Sequence, residues 1–333
     1  MLHRILGISI ITISLIAAWL TMEFDSFQTT PLKLPVEGIT YNLEAGSTLA
    51  TLAADLQQKG YLEKPFYLRL LARWNKQAHR IKAGEYFISG GTTPVQLLNL
   101  LVSGRVTTYS LTIIEGWSFR QMMAAVHASD LLVHSLEGGL STAEIMQRLG
   151  HESEHPEGRF LPTTYHFPKG TTDVQFLQRA YLAMQKALDK KWSERDEGLP
   201  LKSAYEALIL ASIVEKETGL ASERPAIAGV FVRRLKKGML LQTDPTIIYG
   251  LGEGFDGNIR RRDLKRDTPY NTYLHKGLTP TPICLPGEAA LDAAVHPEEG
   301  KSLYFVAKGD GSHQFSTTLT EHNRAVRKYQ LKR

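Results

Sequence analysis

Residues 5–22 carry no charged side chain; His3 and Arg4 precede them, and Glu23 and Asp25 follow. About eighteen residues rising 1.5 Å each span about 27 Å as a helix, close to the hydrocarbon thickness of a bilayer. Such a run can cross a membrane once, which puts the remainder of the chain on one side. With Arg4 before it and acids after it, the expectation is a cytoplasmic stretch, residues 1–4, and a bulk of roughly three hundred residues outside. A cleaved signal peptide is the alternative, since Ala17-Ala18 offers small residues for cutting. The apolar run, however, continues through Trp19, Leu20 and Met22.

Cys284 is the only cysteine, so no internal disulfide can form and the fold must hold by its core. At 333 residues and 43% hydrophobic content a core is available, enough for two domains after the apolar run. The net charge of +5 is mild. Arg260-Arg261-Arg262, with Lys265 and Arg266, is a local basic run, but Asp263 and Asp267 interrupt it and no aromatic is interleaved, so nucleic acid is not expected as a partner.

A polar, proline-containing stretch reads as a linker over residues 23–38. A compact unit over 39–104 follows. Alternation predicts a strand over 39–43, Thr48 caps a helix over 49–59, a second helix covers 65–74, a return strand covers 82–88, and Thr93-Pro94 opens a further helix. Strand, helix, helix, strand resembles a LysM-like module, a small fold used to hold cell-wall glycans.

Residues 105–333 read as a larger α+β unit, which makes the whole chain α+β. A strand over 109–114 leads to Ser118 as a helix cap, 157–165 is turn-rich, 172–192 is helical, and a helix opened by Pro225 stops at Gly238. About sixty irregular residues follow, a length that is usually functional. Residues 303–307 and 313–315 form a hairpin, and a last helix begins near Thr320.

Within this unit, residues 202–214 are apolar on most of a helix's circumference, and Glu215 stands at their end. Glu215 stacks over Ala211, Leu208 and Ala204, whereas Glu217 stacks over Ile213, Leu210 and the charged Glu206. The two carboxylates point about 200° apart, so one of them enters a cleft and the other does not. This reading gives the cleft and the acid/base role to Glu215 and leaves Glu217 more solvated, acting indirectly. The bland alternative is an end-of-helix ion pair. The irregular segment supplies Gln242, Asp244, Tyr249, Asn271 and Tyr273, amide, hydroxyl and aromatic groups suited to sugars, and the turn at 157–165 adds Glu157 and Tyr165. Gln242, Asp244, Asn271 and Tyr273 are expected to face the same cleft as Glu215.

Ordered blocks across residues 110–330 resemble the endolytic murein transglycosylases, YceG-like enzymes of bacterial peptidoglycan. They are Ala211-Ser-Ile-Val-Glu-Lys-Glu217, Arg234-Leu235 with Gly238-Met239, Leu241-Gln-Thr-Asp-Pro-Thr246 with Tyr249, Pro269-Tyr-Asn-Thr-Tyr273, Leu303-Tyr-Phe-Val-Ala307, and His313 with Phe315, Glu321 and His322. Thr163, Thr279, Thr281 and Leu285 depart from the family pattern. The resemblance implies cleavage of the β-1,4 bond between N-acetylmuramic acid and N-acetylglucosamine, with 1,6-anhydro ends formed by one carboxyl group. It also implies glycan strands, the inner membrane and cell-wall synthesis enzymes as partners. No cofactor is implied, and no HExxH or paired-cysteine ligand pattern calls for a metal. Two other readings stay open: a muramidase using Asp244 or Glu157 as second carboxylate, and a non-catalytic wall-binding protein.

Overall fold

The computed structural model describes residues 2–136 and 138–331. The chain divides into two compact units, residues 1–109 with 167–169, and residues 110–166 with 170–333.

The first unit opens with α1 (Leu2–Thr29), followed by β1 (Ile39–Leu43), α2 (Leu49–Gln58), α3 (Pro65–Trp74), β2 (Gly84–Ile88) and α4 (Pro94–Ser103). Alternation turns Tyr41 and Leu43 of β1 inward, and β1 pairs antiparallel with β2, Ile39 opposite Ile88 and Leu43 opposite Gly84. Thr48 accepts the Thr51 N–H to start α2, and Thr93 with Gln96 makes a capping box on α4. Leu52, Leu56, Leu68, Leu71, Tyr86, Leu97 and Leu101 close one core beneath them.

The linker expected over 23–38 is helical as far as Thr29. Phe24 and Phe27 rest on the Tyr67 ring, with centroids 5.7 and 5.5 Å apart, so these residues have apolar contacts that reward continuing the helix.

Strand β3 (Thr108–Thr112) spans the division and β4 (Thr164–Pro168) pairs with it. The second unit is otherwise helical: α5 (Phe119–His127), α6 (Thr142–Arg148), α7 (Asp173–Ser193), α8 (Ala204–Glu217), α9 (Arg224–Lys236), α10 (Asp244–Leu251) and α11 (Glu288–Val295). A hairpin of β5 (Tyr304–Ala307) and β6 (His313–Ser316) and a final helix α12 (Leu319–Tyr329) complete it. Every residue from Ala207 to Val214 is buried, so α8 is the axis of this core, with α7, α9 and α11 around it. Cys284 lies in the same core, its thiol donating to the Ser212 carbonyl at 3.2 Å.

The stretch after Gly238 is less irregular than its composition suggests. Pro245 sits in the first turn of α10, where a missing N–H costs nothing, and Asp244 begins that helix.

Candidate active site

Helix α8 ends at Glu217, because Thr218 turns to an extended conformation. The last turn therefore carries Glu215 and Glu217 out of the core on opposite sides, and the structure treats them differently.

Glu217 opens on a cavity of about 470 Å³ lined by residues of α9, α10, the β5–β6 hairpin, α12 and the loops near 242 and 273. Its carboxyl group accepts a hydrogen bond from Thr243 Oγ1. Burial, reinforced by the charge of Asp244, pushes its pKa up to about 7. A carboxyl group so placed holds its proton near neutral pH, as a general acid must, and can take one back. Thr243, 26 residues further along the chain, holds Glu217, the acid expected to be the more solvated, at the cavity wall. Helical phase carries no information about such a partner.

Two loops are laced together to form the wall. Gln242 donates its N–H to the Thr272 carbonyl at 3.1 Å, and Thr243 N–H donates to Thr272 Oγ1 at 3.1 Å. Gln242 is held at φ +50°, a left-handed conformation that costs free energy for a non-glycine residue and concentrates at functional sites. Tyr273 donates its hydroxyl to Asp244 Oδ1 at 2.6 Å, and burial with this bond raises the phenol pKa. Arg234, buried at the end of α9, donates to the Leu303 and Leu241 carbonyls at 2.7 and 2.8 Å. Tyr304 stacks on His322, both lining the cavity, and His313 is held by Glu223, Nδ1 to Oε2 2.7 Å. The His322 imidazole, whose pKa burial lowers, keeps Nδ1 buried with no hydrogen-bond partner among the described residues.

Of the residues singled out from sequence, Gln242, Asp244, Tyr273 and Glu217 line this cavity; Glu215, Asn271, Tyr249, Glu157 and Tyr165 are not among its lining residues. Of Gln242, Asp244, Asn271 and Tyr273, expected to face one cleft with Glu215, the first two and Tyr273 line this cavity together with Glu217. Asn271 is a brace: its amide donates to the Leu264 and Arg266 carbonyls, and its Oδ1 accepts the Tyr273 N–H at 2.9 Å. Tyr165 donates to the Leu161 carbonyl at 2.8 Å and packs on Phe176 in the core. Glu157 accepts the Phe119 N–H at 2.8 Å and the Tyr249 hydroxyl at 3.1 Å, and burial pushes its pKa up to about 7.

Glu215 has full employment elsewhere. Its side chain is 6% exposed; Oε1 meets Arg224 Nη2 at 3.0 Å and Oε2 accepts the Gly287 N–H at 3.0 Å. Glu115 also approaches Arg224, at 3.6 Å, and a side chain on Gly287 would collide with it. The departures belong to this scaffold: Leu285 pairs its backbone with Gly116 and Trp117, Thr279 Oγ1 donates to the Thr281 carbonyl, and Thr281 Oγ1 meets the Tyr270 hydroxyl. Thr163 lends its carbonyl to Ile113 N–H.

Sequence reasoning did not assign Arg234, Thr243, Tyr304, His313 or His322 to the site. For Arg234 a signal was present, a cation closing an apolar helix, the same kind of signal that singled out Glu215.

The model of the YceG-like family matches residues 41–328. The chain belongs to the YceG-like family. A Bacillus subtilis relative named endolytic murein transglycosylase is 29% identical over 87% of this chain and 84% of its own length. A Streptococcus pneumoniae D39 relative of the same name is 26% identical over 86% of this chain, which spans 58% of that longer protein. Among solved structures, a YceG-like protein from Listeria monocytogenes superposes with a TM-score of 0.53 at 30% identity, over 86% of this chain and 98% of that one. In this YceG-like chain the mixed α+β architecture and the N-terminal apolar helix stand together with that likeness. Among the described residues no group of three or more histidine, cysteine or acidic side chains is placed to hold a metal.

Proposed function

We propose that this chain is an endolytic peptidoglycan transglycosylase whose acid and base is Glu217. The observation that carries the assignment is a carboxyl group with its pKa near 7 opening on a polar, aromatic-lined cavity. Glu217 gives its proton to the glycosidic oxygen as the bond from muramic acid C1 breaks, freeing the 4-hydroxyl of N-acetylglucosamine. The carboxylate then takes the proton of the muramoyl 6-hydroxyl while its oxygen bonds to C1. A 1,6-anhydro ring results, Glu217 is restored, and no water is consumed. The nucleophile is tethered to the same sugar, so high effective molarity stands in for an activated water. Gln242 and Tyr273, on loops braced by Asn271, orient the glycan. Support for Glu217 over Glu215 comes from the ion pair that already engages Glu215.

Mass spectrometry of digested glycan strands is expected to find anhydromuramoyl ends. Reducing ends would point to hydrolysis, with Asp244, in the same cavity, as the second carboxylate.

Residues 5–22 span the inner membrane once with residues 1–4 cytoplasmic, residues 39–104 act as a LysM-like glycan-holding module, and residues 105–333 carry the catalysis on newly made strands beside synthesis enzymes. The α1 segment Leu6–Thr29 is long and apolar enough to cross a membrane. N-terminal sequencing of the mature protein is expected to return an intact anchor; a chain beginning near Trp19 would refute it.

A further inference from the structure

We infer that the outer face of α3 is a docking surface for anionic phospholipid headgroups, seated on the leaflet that α1 leaves. The inference rests on the reading of α1 as a membrane anchor. The face is unusual in composition. Phe66 and Trp74 are 65% and 77% exposed and stand among basic side chains. At 100° per residue, Arg69, Phe66, Arg73, Leu70 and Trp74 fall within an arc of about 140°. Helix α3 contains no acidic residue, and Lys76 and Arg80 extend the basic surface beyond its end. Among the described residues Arg69, Arg73, Lys76 and Arg80 have no carboxylate partner, while Glu63 and Glu23, beside the start of α3, are engaged, Glu63 by Lys33 at 2.5 Å and Glu23 by Lys64.

Position supplies the occupant. Tyr67 in the first turn of α3 is packed between Phe24 and Phe27, and Lys64, the residue that precedes α3, pairs with Glu23, the first charge after the apolar run. The start of α3 is therefore tied to the level at which α1 leaves the hydrocarbon, and a helix about 15 Å long keeps its far end within that distance of it. Unpaired guanidinium groups match phosphates, and exposed tryptophan and phenylalanine rings settle at the bilayer interface. A glycan strand is the weaker match, because sugar sites are concave and lined with amides and hydroxyls, whereas this surface is a convex helix bearing cations.

The test uses the full chain in nanodiscs containing lipids brominated near the headgroup, with either anionic phosphatidylglycerol or zwitterionic phosphatidylcholine. Trp74 emission is read as the difference between the wild type and Trp74→Phe, and Trp19 emission likewise with Trp19→Phe and deeply brominated lipid. The expected result is quenching of Trp74 in anionic discs, reduced in zwitterionic discs and lost in the Arg69→Gln, Arg73→Gln double variant. Quenched Trp19 with unquenched Trp74 would overturn the surface while leaving the anchor intact. If neither is quenched, the anchor reading fails and the inference falls with it. A Trp74 signal that answers to added soluble glycan strands and not to lipid would also overturn it, by making the face a sugar site.

Discussion

Glu217→Gln is expected to lower the rate of glycan cleavage by roughly 10²- to 10⁴-fold, the range for loss of a general acid and base, with binding of glycan strands retained. The substitution keeps shape and hydrogen bonding to Thr243 and removes only the titrating proton. The same variant carries a second signature. In the folded chain the Glu217 pKa is raised from 4.5 to about 7, so below pH 4.5 the carboxyl is protonated folded or unfolded and adds no penalty. As pH rises between these values the unfolded state releases its proton first, and wild-type stability falls by up to on the order of 3 kcal/mol from this group alone. Glutamine removes that penalty. Thermal melts are therefore expected to show Glu217→Gln more stable than wild type at pH 8 and little different at pH 4. An inactive variant with no gain at high pH would mean that Glu217 is ionised in the resting protein, and the acid step would need another donor.

Glu215→Gln is expected to act on the fold instead. Removing the charge leaves Arg224, 9% exposed, with only Glu115 at 3.6 Å, and stranding one partner of a buried ion pair costs roughly 3–5 kcal/mol. At roughly 2–4 °C per kcal/mol for a unit of this size, the melting temperature falls by about 10 °C. Below that transition, turnover per folded molecule is expected to stay within about tenfold of wild type, because the loss is of bracing and not of a proton carrier. Replacing Glu215 and Arg224 together by methionine should recover part of the stability lost in either single variant. If Glu215→Gln melted like wild type yet cut no glycan, the acid/base role would return to Glu215, where the helix-face argument first placed it.

Helix starts were legible because Thr48, Thr93 and Ser118 announce themselves through local hydrogen bonds. The apolar stretch of α8 was legible as the core axis because burial on all sides erases periodicity. Which carboxylate at its end faces the cavity was not legible, since the answer depends on Thr243 covering one acid and Arg224 claiming the other. Both partners come from other elements, and no helical wheel contains them. Residues 23–29 were misread for a related reason: their polar character suggests a linker, but Phe24 and Phe27 find Tyr67, 40 or more residues away. The segment 242–273 offers residue types suited to sugars, yet the Asn271 side chain bonds to backbone, a role its composition cannot distinguish from ligand binding.

The lone thiol has a practical chemical consequence. Thiol oxidation and alkylation both proceed through the thiolate, and Cys284, fully enclosed with its pKa raised well above the ordinary thiol value by burial, presents neither a thiolate nor a route for a reagent. In an oxidising compartment such a chain neither cross-links to a second copy nor climbs the oxidation ladder at this position. For the same reason one cysteine introduced at the mouth of the cavity would be the sole reactive thiol, and a probe attached there would report on glycan entry from a single known point.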